Sequence, residues 1–169
     1  MPLTITTWNV QNFTRKDPVY PDKLNLIATT IKVLGSDIVA LQEILDQGAL
    51  EDLAIQLKFN HYAATPDGRG IGVAMLTRNA AAQGPTQIDQ WQLAPGIEVR
   101  DFENNGAIKV VPEFPRPALK ITIAYNGNQI EIITAHLKSK LLSFRGHFST
   151  TDETLRARTA YFALERRAA

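Results

Sequence analysis

The sequence has no cysteine. Disulfides and thiolate metal sites are therefore excluded, and any bound metal must rely on oxygen and nitrogen ligands. No apolar run reaches membrane-spanning length, and the N-terminus lacks the basic, apolar, small-residue layout of a secretory signal. The chain is thus expected to be soluble and untargeted, with the cytoplasm favoured and secretion left open if a signal has been trimmed away. An excess of one charge is also missing, since 18 basic and 17 acidic residues leave a net charge of +1. This excludes a strongly cationic nucleic-acid clamp, although a local basic strip at a groove remains open. Internal repeats, low-complexity tracts and interdomain linkers are absent as well.

What is present is ordinary for one globular domain: 169 residues, 44% hydrophobic and 21% charged. A chain of this size can bury about 70% of its unfolded surface. We read residues 1–169 as a single domain. Leu3, Ile5, Thr7 and Asn9 alternate with Thr4, Thr6 and Trp8, which predicts a first strand with two useful faces. Pro18 and Pro21 punctuate the loop after it. Leu24, Ile27, Ile31 and Leu34 recur at helical spacing from Asp22, and Gly35 closes that helix. Ile38-Val39-Ala40-Leu41 is a short apolar run of the kind buried on both faces of a sheet.

A second helix is expected from Gly48 to Leu57, then a buried strand over Gly70–Leu76 opened by the turn Pro66-Asp67-Gly68. The stretch from Ala80 to Gly106 reads as irregular. Asn126-Gly127 between Leu119-Ile121-Ile123 and Ile130-Ile132-Ile133 marks a tight hairpin. A last helix runs from about Asp152 and carries Arg156, Arg158, Arg166 and Arg167. The order β-α-β-α, then mostly antiparallel strands, then a helix predicts an α+β or layered α/β domain with a mixed sheet.

Glu43 follows the buried run directly, and a carboxylate at such a strand end projects into the crevice where α/β sheets bind ligands. Magnesium and manganese prefer carboxylate and water oxygens, often with one or two protein carboxylates. The plain alternative is a solvated glutamate. Asn9, after the first strand, is either a turn-former or an amide that orients a phosphate or carboxylate. His136 stands at the exit of Ile132-Ile133-Thr134-Ala135. It is either an ordinary satisfied histidine or an imidazole that donates to a phosphate oxygen or assists proton transfer. Arg116, stiffened between Pro115 and Pro117, is either an ordinary surface-loop arginine or one suited to bidentate phosphate contact. Lys138, Lys140 and Arg145 would add positive potential, or simply form a solvated face.

Together these segments resemble the endonuclease/exonuclease/phosphatase superfamily, the DNase I-like phosphoesterases. Thr7-Trp8-Asn9-Val10 is similar to its opening strand motif, and Asp37-Ile38-Val39-Ala40-Leu41-Gln42-Glu43 to its Gln-Glu motif. Gly72-Val73-Ala74-Met75-Leu76 resembles its central strand, Arg116-Pro117 its Arg-Pro strand entry, and Ile133-Thr134-Ala135-His136-Leu137-Lys138-Ser139-Lys140 its histidine motif. The five occur in family order over nearly the whole chain.

The resemblance implies a DNase I-like sandwich of two mixed sheets with helices outside, and metal-dependent hydrolysis of phosphodiesters by in-line water attack. Glu43 would bind the metal, with Asn9 supporting both metal and phosphate. His136 would contact the scissile phosphate, and Arg116 would lie on the phosphate side. Magnesium is the implied ion, with manganese or calcium able to take its place. Nucleic acid is the favoured substrate, and a phospholipid, inositol phosphate or other small phosphoester the alternative.

The sequence also departs from the family pattern. The Gly-Asp-x-Asn motif and the late Asp-His pair do not occur, and Asp101-Phe102-Glu103-Asn104 has the wrong spacing and position to replace them. The expectation is an N-terminal portion of the fold, truncated and with little or no turnover by itself, with self-association through an exposed sheet face. The competing expectation, from a different functional class, is a non-catalytic half-domain serving as a binding or scaffolding module.

Overall fold

The alternating N-terminal residues form β1 (Ile5–Phe13), which pairs in parallel with β2 (Ile38–Ile44) from Ile5 opposite Ile38 to Asn9 opposite Gln42. A parallel pair needs a long crossover, and α1 (Tyr20–Leu34) supplies it. Pro21 lies in the first turn of this helix, where its missing N–H costs nothing, and not in the preceding loop as the sequence had implied. Gly35 ends the helix in the left-handed region (φ 63°) with its N–H on the carbonyls of Ile31 and Lys32. That position favours glycine because no β-carbon meets the following carbonyl. The next helix, α2 (Gln47–Leu57), starts on Asp46, whose carboxylate accepts from the Gly48 N–H.

The structure, a computed structural model, describes residues 2–90, 98–102, 107–111, 113–137 and 152–168. The chain forms two compact units, Met1–Asp89 with Pro115–His136 and Gln90–Phe114 with Leu137–Ala169.

In the first unit, β3 (Asn60–Ala63) and β4 (Gly72–Thr77) join β1 and β2 in a four-stranded mixed sheet ordered β1-β2-β4-β3. Val39, Leu41, Ala74 and Leu76 pack from one face of the sheet onto Ile27, Ala28, Ile31, Leu50, Leu53 and Ala54 of the helices. On the opposite face Ile38, Val73 and Met75 meet Leu119, Ile121 and Ile123. Those three belong to β8 (Glu113–Tyr125), the middle strand of a second sheet between β5 (Gln83–Gln90) and β9 (Asn128–Thr134). Burial on both faces is why β2 and β4 read as continuous apolar runs. Each fully buried Leu or Ile contributes roughly 1.5–3 kcal/mol, so the three layers hold the site end of the sheet rigidly. The β8–β9 hairpin turns at Asn126 (φ 50°) and Gly127 (φ 78°), the pair of positive φ values a two-residue turn requires.

Several expectations need correction. Part of the stretch read as irregular is the strand β5; it is almost wholly exposed and Gln-rich, so no alternation betrays it. The short edge strand β3 was missed. Gly70 and Ile71 belong to the turn before β4, which opens at Gly72. Arg116 lies on β8, ahead of the stretch paired with β9, which begins at Leu119; Pro115 and Pro117 therefore remove no hydrogen bond from that ladder.

In the second unit, β6 (Arg100–Phe102) and β7 (Ile108–Val110) form an antiparallel pair that packs on α3 (Glu153–Ala168). The Arg100 guanidinium lies 5.3 Å from the Tyr161 ring centroid and 5.7 Å from that of Phe162. None of the helices among the described residues is long and apolar enough to cross a membrane.

Candidate active site

Two ladder slips open the C-terminal ends of β1 and β2. The β1–β2 register breaks between Asn9 and Phe13, and the β2–β4 register between Gln42 and Ile44. At these slips Gln11, Asn12 and Glu43 take φ of 50°, 54° and 64°. Left-handed conformations cost a non-glycine residue of order 1–3 kcal/mol and concentrate at functional sites. A bulge also re-aims the side chain it carries, and here it turns Glu43 toward Asn9 and the irregular end of β1. Lys23 ties the bulge down, donating from Nζ to the Gln11 carbonyl at 2.6 Å.

The Glu43 carboxylate is held by two donors, Asn9 Nδ2 to Oε1 at 2.8 Å and the Asn12 N–H to Oε2 at 3.2 Å. Asn9 Oδ1 in turn accepts from the Gln11 N–H at 2.9 Å, which fixes the amide with its nitrogen toward Glu43. Each carboxylate oxygen keeps a free lone-pair direction, and the side chain is 23% exposed. His136 Nε2 sits 3.7 Å from Glu43 Oε1. Beside them Gln42 Nε2 bridges the two sheets, donating to Thr7 Oγ1 at 3.2 Å and Thr134 Oγ1 at 3.1 Å.

On the other side of His136, Nδ1 is hydrogen-bonded to Arg116 Nη1. The Arg116 Nε donates to Asp67 Oδ2 at 2.8 Å. Asp67 Oδ1 accepts from the N–H groups of Arg69 (2.9 Å) and Ile71 (3.0 Å). Burial alone would raise the Asp67 carboxyl, but the Ile71 and Arg69 N–H groups and the Arg116 guanidinium hold it below the ordinary carboxylate range. Burial and then the Arg116 charge depress the His136 imidazole, against the opposing pull of Glu43 and Asp67. The Arg116 guanidinium can only donate, so Nδ1 accepts and the ring in this arrangement is neutral.

The structure therefore brings Asn9, Glu43, Arg116 and His136 into one contiguous set of side chains. Lys138, Lys140 and Arg145 lie outside the described residues, while Arg156 and Arg158 belong to the second unit. Asp67 and Gln42 had no assigned part in the sequence reading. Asp67 looked like a turn-former, which it also is; its link to Arg116, 49 positions away, leaves no local trace. Gln42 was visible in the Gln-Glu pair, but its role as a bridge depends on a strand 92 positions away.

A divalent ion fits this donor set in one respect and is limited in another. Glu43 offers oriented, partly solvated oxygens, whereas Asn9 presents its amide nitrogen to Glu43. Among the described residues no three His, Asp or Glu side chains gather as a metal cage. Glu43 could thus hold an ion whose remaining positions are taken by water and substrate.

Comparison with known proteins accords with this picture. By sequence, no functionally curated protein matches the chain. Among solved structures, an endonuclease/exonuclease/phosphatase family protein from Leptotrichia buccalis C-1013-b is similar at 22% identity and a TM-score of 0.50, over 80% of this chain and 55% of that one. D. rerio TDP2 in complex with a single strand DNA product is similar at 14% identity and a TM-score of 0.56, over 98% of this chain and 54% of that one. A humanized D. rerio TDP2 with 14 mutations gives 17% identity and a TM-score of 0.55, over 81% and 48%. At such identities the likeness shows the fold, and the chain spans about half the length of these structures. The profile of the Endonuclease/Exonuclease/phosphatase family matches residues 6–168, and the chain belongs to that family.

Proposed function

We propose that the protein is a magnesium-dependent phosphodiesterase acting on nucleic acid. The observation that carries this reading is the Glu43 carboxylate, pinned by Asn9 and the Asn12 N–H with the His136 Nε2 at 3.7 Å. Glu43 is the residue that would hold the ion, with Asn9 acting on it through the carboxylate. When bound, a divalent ion supplies charge neutralisation on the phosphoryl oxygens during in-line attack by water. His136 donates a hydrogen bond from Nε2 to a non-bridging oxygen, where negative charge builds up in the transition state. Arg116 steadies that imidazole and adds its fixed charge behind it. Arg69, 67% exposed at the rim and paired only loosely with Asp67 at 3.5 Å, is free to meet a neighbouring phosphate. A substrate that offered Arg69 a second phosphate would be a polynucleotide and not a lone phosphodiester. The single-strand DNA product named with one similar structure supports the same substrate class.

Among the described residues no uncommitted carboxylate stands ready to take a proton from the attacking water, since Asp67 is tied to Arg116 and Glu43 is assigned to the ion. With the Gly-Asp-x-Asn motif and the late Asp-His pair missing from its sequence, the 169-residue chain by itself is expected to show little or no turnover. The test is a panel with and without Mg2+ on the full-length protein: oligonucleotides, a phospholipid and bis-nitrophenyl phosphate. The expected outcome is metal-dependent cleavage of oligonucleotides, lost in Glu43→Gln and His136→Ala. Full activity in both variants would overturn the site, and rapid hydrolysis by the isolated chain would overturn the account of what it lacks.

A further inference from the structure

We propose that Asp67 is a positioning residue which, through Arg116, fixes His136 in the tautomer that carries its proton on Nε2. The inference rests on the phosphodiesterase reading above and adds to it a residue and a chain of bonds.

Asp67 is a rigid anchor. Its side chain is only 9% exposed, and its two oxygens accept from the backbone N–H groups of Arg69 and Ile71 and from Arg116 Nε. Arg116, 15% exposed, divides its planar fork between two different groups, Nε to Asp67 and Nη1 to the imidazole. A guanidinium only donates and does not give up its proton in a protein. The imidazole nitrogen facing it must therefore be the acceptor, so Nδ1 is bare. A neutral ring then carries its proton on Nε2, the atom that looks toward Glu43.

Functional histidines more often rest the inner nitrogen against a carboxylate or carbonyl, which accepts from N–H and leaves the outer nitrogen as a lone pair. Had Asp67 met His136 directly, Nε2 would be a base or a metal ligand. Interposing Arg116 inverts that polarity. The outer nitrogen becomes a hydrogen-bond donor, suited to a phosphate oxygen and unable to take a proton from water while neutral. The short spacer also explains why a half-buried carboxylate is placed behind the arginine: it fixes the plane of the guanidinium and hence the direction of Nη1.

The test is the long-range 1H–15N spectrum of the imidazoles in the full chain near neutral pH, with the His136 signals assigned by their loss in His136→Gln. Wild type is expected to show the Nε2–H form of His136. Asp67→Asn retains an oxygen for the loop N–H groups but presents an amide N–H to Arg116, and is expected to yield a mixture of tautomers. On oligonucleotide it should lower kcat about tenfold with KM little changed. Should Asp67→Asn fail to fold, Arg116→Met is expected to release the same tautomer. An Nδ1–H form in wild type, or an unchanged Nε2–H form in a folded variant, overturns the proposal. A tautomer shift in a protein that cleaves no phosphodiester would uphold the positioning chain and sink the functional reading instead.

Discussion

Two of the Arg–Asp pairs in the first unit, Arg15–Asp52 and Arg116–Asp67, are built for different ends. Arg15 grips Asp52 side-on, Nε to Oδ2 at 2.8 Å and Nη2 to Oδ1 at 2.7 Å, while the Tyr20 hydroxyl adds a third bond at 2.7 Å. Arg116 gives Asp67 one nitrogen and passes the other to His136. The first pair is closed on itself. It clasps the loop after β1 to α2, where a β-carbon at Gly48 would collide with the Arg15 guanidinium. The second is open and hands its rigidity to a group with chemistry to do. Exposure follows the same division, with Arg15 at 49% and Arg116 at 15%. An exposed pair contributes little beyond local order, whereas a half-buried one whose fork is shared fixes a third side chain.

The comparison can be broken in order of effect. Glu43→Gln removes the carboxylate at the bulge and should lower phosphodiester hydrolysis by about 10³-fold, measured as kcat/KM in Mg2+. His136→Ala removes the phosphate donor and should cost about 10²-fold. Asp67→Asn opens the second pair and should cost about tenfold, in kcat alone. Asp52→Asn opens the first pair, and there the effect should divide the other way: hydrolysis within about twofold of wild type, with a lower melting temperature. A large loss of activity in Asp52→Asn with native-like stability would erase the distinction between the pairs.

A pH series sharpens the same contrast. The Arg15 and Tyr20 hydrogen bonds, with the Arg15 charge behind them, hold the Asp52 carboxyl down at about 2, below the ordinary carboxylate range. A depressed carboxyl stabilises the fold above its unfolded value and loses that contribution as pH falls through the folded one. Wild type should therefore lose part of its stability between about pH 4 and pH 2, and Asp52→Asn should lose correspondingly less, as read by denaturant melts across that range. Equal acid sensitivity in the two proteins would show that the clasp contributes nothing.

Much of this arrangement was legible in the sequence, and what escaped did so for physical reasons. The run Ile38-Val39-Ala40-Leu41 announced a strand buried on both faces because helices cover one side and β8 the other. The ends of α1 at Leu34 and of α2 at Leu57 followed from Gly35 and from apolar spacing, while α1 begins at Tyr20, ahead of the expected Asp22. Glu43 was readable as a strand-end carboxylate, but its positive φ was not, since nothing in the residue type foretells a bulge. Asn9 read as a supporter of metal and phosphate; in the structure its amide turns nitrogen-first onto Glu43. Asp67 hid behind a sufficient local explanation. A turn aspartate satisfied by the N–H groups of Arg69 and Ile71 seems complete until the tertiary fold brings Arg116 to its second oxygen. Strand β5, exposed along nearly all its length, had no core to pattern it.

The most direct test of the central claim is a Mg2+ titration of oligonucleotide cleavage by the full-length protein, wild type beside Glu43→Gln. The account predicts saturable, metal-dependent cleavage in wild type and loss of the metal response in the variant. Cleavage that needs no divalent ion, or a metal response that survives Glu43→Gln, would contradict it.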